Sequence, residues 1–536
     1  PYPGPEQSFP KEETDMKKYI AILLCIALMG CLFAGCGKES EEAFVPTGNA
    51  LVMEGQDPDS VGPQKEEPPQ EFSLAYYPDR GLNPLTCNDY TNRVIFSLIY
   101  QNMFNVNDDY SVEPILCGSY KVSASYKTWV FYVEVGATFS DGTPLTEDDV
   151  LATYLAAKES GYYAGRFNNV HSIEMSEDGG VVFYLNTPYE NLPQLLDIPI
   201  LKAEEVAAEY PAGSGPYLLS HSLAGAQLVR NPLWWCHNQK IVVTAESIPL
   251  VEATDPAHIR DQFEFYDVGL VCADPCSDTY ADFRCDYELW DIDNGIFLFL
   301  ACNVRYVDFL EDNTLRSMLT FGINRQQIVQ DNFHGYAEAV TLPADPSSPY
   351  YSKSLAARYD YDPSKFVEFL GRYGKTEEPI RLLVNSDDSM RLRIAHYLAD
   401  AFTDYGLPME VMECSSARFL AEIYNANYDL YLGVTKLSAN MDLSPFFSPW
   451  GELSRNGVSD EITYSLCLEA LANQGSYYDL HKAVAEDARI IPIAFFGNAV
   501  YATRGLLTDL TPSRDNVFSY SLGKDMQSIR IPTEYN

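Results

Sequence analysis

Basic residues are scarce. Lys and Arg total 36 against 76 Asp and Glu in 536 residues, giving a formal charge of −40 and a pI of about 4.4. Binding to nucleic acid needs a basic face that neutralises phosphates, so that class is excluded, as is docking of the folded body on anionic lipid head groups. The acid surplus keeps an exported protein soluble, and its summed field suits cationic or neutral partners. Histidine is also rare: the seven include no H-E-x-x-H and no i, i+4 pair, which excludes a zincin-type metal helix. There is no P-loop, so the chain carries no Walker-type nucleotide site. No repeat of fixed period occurs, which excludes a solenoid or propeller. Cys272, Cys276 and Cys285 are spaced C-x3-C-x8-C, which does not fit a zinc ribbon and lacks a second ligand pair. Neither a metal nor a cofactor is expected. A hydrolase with paired carboxylates stays compatible with composition alone, because 76 acids allow many pairs.

One apolar run stands out, in "MKKYIAILLCIALMGCLFAGCGKES" (16–40). Lys17 and Lys18 form a basic n-region, Tyr19–Gly35 is almost purely apolar, and Ala34-Gly35 precede Cys36. Seventeen residues is the lower limit for a span, so a retained anchor is one reading. The basic start, apolar middle and small-residue exit are those of an export signal. "LFAGC" is similar to the bacterial lipobox, with Cys36 as the diacylated residue, and Cys31 in "LMGC" offers a second match. Several acyl chains, each worth about 0.8 kcal/mol per buried CH₂, would hold such a protein at a membrane. Residues 1–15 read as an upstream extension, 16–35 as signal peptide and 36–70 as a flexible tether rich in Pro, Glu and Gln. Nine cysteines follow Cys36, an odd number, so at least one is unpaired in a monomer. Their connectivity is open.

With 46% hydrophobic and 21% charged residues, the chain can bury large cores, and its length suggests two to four domains. "WVFYVEV" alternates Trp129, Phe131, Val133 and Val135 on one face, the pattern of a half-buried strand, and "VVFYL" (181–185) reads similarly. "IFLFLACNV" (296–304) is a continuous apolar run suited to a strand buried on both faces. Helical spacing links Met390, Ile394, Leu398 and Phe402, ending near Gly406, and a second helix starts at Asn313 as N-cap and carries Leu315, Leu319 and Ile323. Strands and helices alternate along the chain, which indicates an α/β or α+β protein.

The densest local signal is "FSDGTPLTEDDV" (139–150). Asp141-Gly142 is a turn pair. Thr146 reads as an N-cap to the amide of Asp149, with Glu147, Asp148 and Asp149 at the positive end of a helix carrying Val150, Ala152, Leu155 and Ala156. This segment, led by Phe139, resembles the signature of family 5 extracellular solute-binding proteins, the oligopeptide, dipeptide and nickel receptors of ABC importers. Further pieces fall in the family's order over residues 72–500: "LNPLT" (82–86), "SLIYQNMF" (97–104), "GSGPYLL" (213–219), "RNPLWW" (230–235), "ACNV" with Asn303, "LRSMLTFGINRQQIV" (315–329) and "AEDARIIPIAF" (485–495). In "GSGPY" the motif residues are Gly213, Gly215, Pro216 and Tyr217, and the spacing is not that of a nucleophile elbow.

The resemblance implies a non-enzymatic two-lobed clamp, α/β in class, with ligand in the cleft. It places a discontinuous domain I at 71–275 and 480–536, with an inserted subdomain at about 95–190. A hinge region covers 276–304, and a smaller domain II covers 305–479. Ligand shifts an open–closed population, and the partners are an ABC permease and its ATPase. Peptide receptors of the family hold a free amino terminus in a "D-x-x-D-P-x-x-F" loop. Here "KLSANMDLSPFFSPWG" (436–451) matches the second acid with Asp442, and Ala439 stands where the first would be. Lys436, Ser438 and Asn440 of this loop, with Tyr90, Tyr100 and Trp450, are candidate cleft residues. Asp442 also suits a turn-forming role with Asn440. Arg391 and Arg393 begin a helix where dipeptide receptors carry a carboxylate-binding arginine, and an arginine fork suits a carboxylate. Solvated arginines on a helix are the alternative. The expected function is a lipid-anchored, monomeric, extracytoplasmic receptor for peptides. A receptor for nickel chelates or another small organic solute, and a surface sensor using the same clamp, are the alternatives.

Overall fold

The computed structural model describes residues 71–532 apart from 224, 281–282, 374–377 and 455–457. The expected signal, Cys36 and the tether lie outside the described residues.

The architecture is mixed α/β around one sheet of 11 strands that serves both lobes. In chain order its strands in the first lobe are β1 (Leu74–Tyr76), β8 (Tyr217–Ser222), β9 (Gly225–Arg230), β10 (Ser247–Glu252) and β11 (Leu270–Ala273). The inserted β2 (Phe104–Val106) and β3 (Val112–Pro114) form a separate ribbon. A four-stranded antiparallel sheet, β4 (Cys117–Val122), β5 (Thr128–Val133), β6 (Val170–Met175) and β7 (Val181–Leu185), has the order β4-β5-β7-β6. The second lobe adds β13 (Ala337–Ala339), β14 (Ile380–Asn385), β15 (Met409–Cys414) and β16 (Leu430–Lys436), and two long strands, β12 (Tyr287–Cys302) and β17 (Ile490–Thr503), belong to both. The sheet runs β15-β14-β16-β12-β17-β11-β1-β10-β9-β8, with β13 beside β17. β14 is parallel to β15 and β16, so helices Ser389–Tyr405 and Ser416–Tyr424 make the crossovers that parallel pairing requires.

β12 and β17 connect the lobes. Tyr287–Ile292 pairs with Thr503–Asn498 in the first lobe, and Ile296–Ala301 pairs with Phe496–Ile490 in the second. The register slips between Ile292 and Ile296, where Gly295 takes φ +71°. Across from the slip, a Cβ on Gly497 would lie 1.7 Å from the Ile292 carbonyl oxygen, so only glycine fits there. Helix Tyr477–Asp487 packs Leu480 and Val484 into the second lobe's core beside Phe297 and Phe495. The first half of β17 completes the second sheet, pairing Ile490–Phe496 with Ile296–Ala301.

Local expectations compare closely with these elements. Trp129 and Phe131 are buried in β5, but the strand ends at Val133. Val135 lies beyond it at 93% exposure, before the turn at Gly136 (φ +88°). The helix Glu147–Ala157 buries Val150, Thr153, Tyr154 and Ala157, leaving Leu155 outward. That stripe follows i, i+3, i+4, i+7 spacing. Helix Ser389–Tyr405 ends at Gly406 in the left-handed conformation. Asp312, not Asn313, caps Asn313–Gly322, accepting from the Thr314 amide at 2.8 Å.

Among the described residues all nine cysteines are free thiols, and no helix is long and apolar enough to cross a membrane.

Candidate functional site

The slip between the long strands organises a polar centre. Asn294 of the bulge is buried, and its Nδ2 donates to the Arg514 carbonyl (2.7 Å), Asp515 Oδ1 (3.2 Å) and the Tyr90 hydroxyl (3.1 Å). Its Oδ1 accepts from the Asn498 amide at 2.7 Å. One side chain thus fixes both long strands, the first helix of the first lobe and the C-terminal tail. Asp293 accepts from the Gly295 amide (2.8 Å) and the Tyr110 hydroxyl (3.3 Å). Burial, then the facing Asp345 carboxyl, push its pKa up to about 8 against the opposing charge of Arg514.

Beside this centre lies a cavity of about 370 Å³. Tyr162, Arg166, Gln194, Asp197, Arg514 and Asp515 line it from the first lobe, and Lys436, Ser438, Ala439, Asp442 and Glu452 from the second. That size fits a site enclosing a small organic ligand, for which roughly 300–1,000 Å³ is usual. Lys436 reaches the cavity because β16 ends beside Ile296 and Leu437 donates to the Gly295 carbonyl at 2.9 Å. Its ammonium pairs with Asp515 and lies 3.4 Å from the Tyr162 hydroxyl, so it ties the second lobe to the first. Burial opposes ionisation of Asp515, but Lys436, Arg514 and Arg166 outweigh it and hold the carboxyl well below its usual range. Arg166 pairs with Asp197. A smaller void of about 60 Å³, lined by Gln101, Asn105, Ser513 and Asn516 among others, shares Asp197, Arg514 and Asp515 with the cavity.

The structure brings four of the candidate residues to this region. Lys436, Ser438 and Asp442 line the cavity, and Asn440 is buried behind it, accepting from Ser438 Oγ at 2.6 Å. Asp442 accepts from the amide and hydroxyl of Ser444 at 2.8 and 2.7 Å, a turn-forming role, and burial raises its pKa against those bonds. Tyr90 belongs to the polar centre through Asn294. Tyr100 is a core residue whose hydroxyl donates to the carbonyls of Leu82 (2.9 Å) and Pro211 (3.3 Å), beside the smaller void. Arg391 is held by Asp388 at 2.7 Å, Arg393 is exposed, and neither lines the cavity. Trp450 is 93% exposed and lies outside the lining.

The motif residues form scaffold. Phe139 is fully buried, and Asp141 accepts from Thr143 and from Lys202 at 2.8 Å. Gly142 turns the chain at φ +82°. Thr146 donates both its amide (2.8 Å) and its hydroxyl (2.9 Å) to Asp149. Thr146 and Asp149 thus form a capping box, the Thr146 side chain meeting the Asp149 amide and the Asp149 carboxylate meeting the Thr146 amide. Gly213 and Gly215 lie against the end of helix Tyr90–Ile99, with a Cβ on Gly213 placed 2.0 Å from the Ile99 oxygen. The Pro216 carbonyl accepts from the Asn231 amide at 2.8 Å, and the Tyr217 hydroxyl donates to the Ala245 carbonyl at 2.7 Å. Asn303 donates to the carbonyls of Tyr428 and Ala426 at 2.8 and 3.1 Å.

Arg166, Gln194, Asp197, Arg514 and Asp515 were not singled out from sequence. The only hint is an Arg-Asp pair inside the turn-rich "TPSRDNV" of the C-terminal tail.

Two lobes joined by two strands, with a charged cavity between them, have the form of a solute-binding clamp. The model of the bacterial extracellular solute-binding proteins, family 5, matches residues 111–457, and the chain belongs to that family, whose members are the binding components of ABC transporters. Among curated relatives, the glutathione-binding protein GsiB of Salmonella typhi is 22% identical over 365 residues, covering 64% of this chain and 69% of that protein. Among solved structures, the ABC transporter substrate-binding protein CtaP of Listeria monocytogenes superposes with a TM-score of 0.70 at 19% identity, over 84% of this chain and 97% of that one. NikA of Brucella suis, solved with Fe(III)-EDTA, gives a TM-score of 0.68 at 17% identity, over 83% and 98%.

Proposed function

We propose that this protein is a lipid-anchored receptor that captures peptides in the cavity and presents them to an ABC permease driven by its ATPase. The observation that supports this most is the cavity itself, whose walls come from both lobes and carry cations and carboxylates together. A peptide bears both charges, and so does glutathione, which the similar GsiB protein is named for binding. Closure would pivot where β12 and β17 slip, at Asp293–Gly295 and Gly497, with the first lobe before and after these points and the second lobe between them. A chelate or other small organic solute is the second reading, favoured by Ala439 where the family's peptide receptors carry an acid, and by the Fe(III)-EDTA complex of the similar NikA.

Mass spectrometry of whatever is released on denaturing the purified protein tests the ligand. Peptides should appear, and a random peptide library should raise the melting temperature. If neither happens, peptide capture is wrong. A sensor role would require the response to survive deletion of the permease. For the anchor, Cys36→Ser should abolish acyl labelling and release the protein from membranes; persistent labelling would move the anchor to Cys31.

A further inference from the structure

Arg514 is 5% exposed and stands in the wall shared by the cavity and the smaller void. The other two cations of the cavity each have a dedicated carboxylate, Lys436 with Asp515 and Arg166 with Asp197. Arg514 has none. Among the described residues its Nη2 donates to the Leu437 carbonyl at 3.4 Å, its guanidinium lies 4.9 Å from the Tyr110 ring, and no group accepts from its Nη1. Asp515, Asp293 and Asp197 act on it through charge, without a hydrogen bond to it. The neighbouring Ser513 Oγ is likewise enclosed and unpartnered. The backbone at Arg514 is held at φ +41°, a conformation that an L residue adopts at a cost and keeps only when its surroundings impose it. A buried guanidinium N–H without an acceptor is also costly. The acceptor that matches a guanidinium best is a carboxylate, which it binds through charge-assisted, often paired hydrogen bonds.

We propose that Arg514 is the residue that anchors a ligand carboxylate in the cleft. This role falls to Arg514 and not to Arg391 or Arg393, which are bound by Asp388 or exposed. The inference rests on the reading of the cavity as the ligand site, and it commits the ligand to carrying an acid group.

The test measures binding of a random tripeptide library, glutathione and the nickel–histidine complex, each beside its carboxamide counterpart, to the wild type, R514K and R514Q. Loss of a charge-assisted bond predicts that amidation weakens binding to the wild type about ten- to a hundredfold. R514Q should bind acid and amide alike, and R514K should fall between, keeping charge without the fork. Because acid and amide are compared within each protein, reduced folding of a variant does not mimic the result. If peptides fail to bind but the nickel–histidine complex shows this Arg514-dependent preference, the carboxylate anchor stands and the peptide reading falls. If no probe binds, if the wild type treats acid and amide alike, or if R514Q keeps the preference, the proposal is overturned.

Discussion

Two polar loops of the first lobe, 139–150 and 513–516, are completed to different degrees. In the first, Asp141 and Asp149 each accept hydrogen bonds through both oxygens, from Thr143 and Lys202 and from Thr146 and the Ala203 amide. Neither loop is apolar, yet the second encloses Ser513 Oγ, Arg514 Nη1 and Asn516 Oδ1 without a partner among the described residues. Satisfied polar groups lock a conformation, while each enclosed unsatisfied one calls for its own explanation. The loop that carries the family signature is thus architecture, and the loop without any signature contributes Arg514 and Asp515 to the wall of the cavity proposed to hold the ligand.

The comparison breaks most sharply at the glycines. Gly213 belongs to a signature segment, and a methyl group there would sit 2.0 Å from the Ile99 oxygen and 2.7 Å from its carbon. Backbone on both sides must move, so Gly213→Ala should lose at least about 3 kcal/mol, beyond the usual range for overpacking. Urea unfolding measures it. Affinity per folded molecule should be unchanged, because Gly213 does not line the cavity. A variant of wild-type stability would show that the signature segment tolerates rearrangement and that its role as fixed scaffold is misjudged.

The polar centre gives a prediction of intermediate size, with a defined sign in pH. Asp293 is raised from an ordinary value of about 4 to about 8 by burial and then by the facing Asp345. The folded form therefore holds a proton that the unfolded chain has released across that window. Stability from this group is complete below about pH 4 and is lost as pH rises towards 8. Asn at 293 keeps the neutral shape and carries no proton to lose. Asp293→Asn should flatten the decline in unfolding free energy between these limits. A parallel decline in both proteins would place the raised pKa elsewhere.

What could be read beforehand follows the same division. Alternation at Trp129 and Phe131, helical spacing from Met390 to Phe402 and the stop at Gly406 all come from contacts within a few residues, and the elements formed there. Errors were also local. Asp312 outcompeted Asn313 as a cap because the charged acceptor is the stronger partner for the helix amides, and Val135 fell past the strand end fixed by Gly136. The loop Lys436–Gly451 was found through its family pattern, and Lys436, Ser438 and Asp442 do line the cavity. Arg514 was not legible. Its importance arises from Leu437 and Tyr110, 77 residues before it in one case and far earlier in the other, and from the absence of an acceptor. No window of sequence contains that information. Arg391 shows the converse: its pattern looked like a ligand group, but Asp388, three residues before it, already occupies it.

The smallest expected effect separates scaffold from site most cleanly. Asp149 closes the first turn of helix Glu147–Ala157 and also accepts from the Ala203 amide at 2.8 Å. Asp149→Ala removes the cap and leaves that amide without its partner, which should cost about 1–2 kcal/mol. No residue of the helix lines the cavity, so the dissociation constant of whichever solute the protein binds should stay within about twofold, as for surface positions remote from a site. Thermal unfolding and calorimetric titration of the same preparation give both quantities. A tenfold loss of affinity at wild-type stability would mean that the signature helix is coupled to the cleft, and the division between a finished scaffold and an unfinished binding wall would fail. The opposite result, lower stability with affinity intact, would leave the signature helix as scaffold alone.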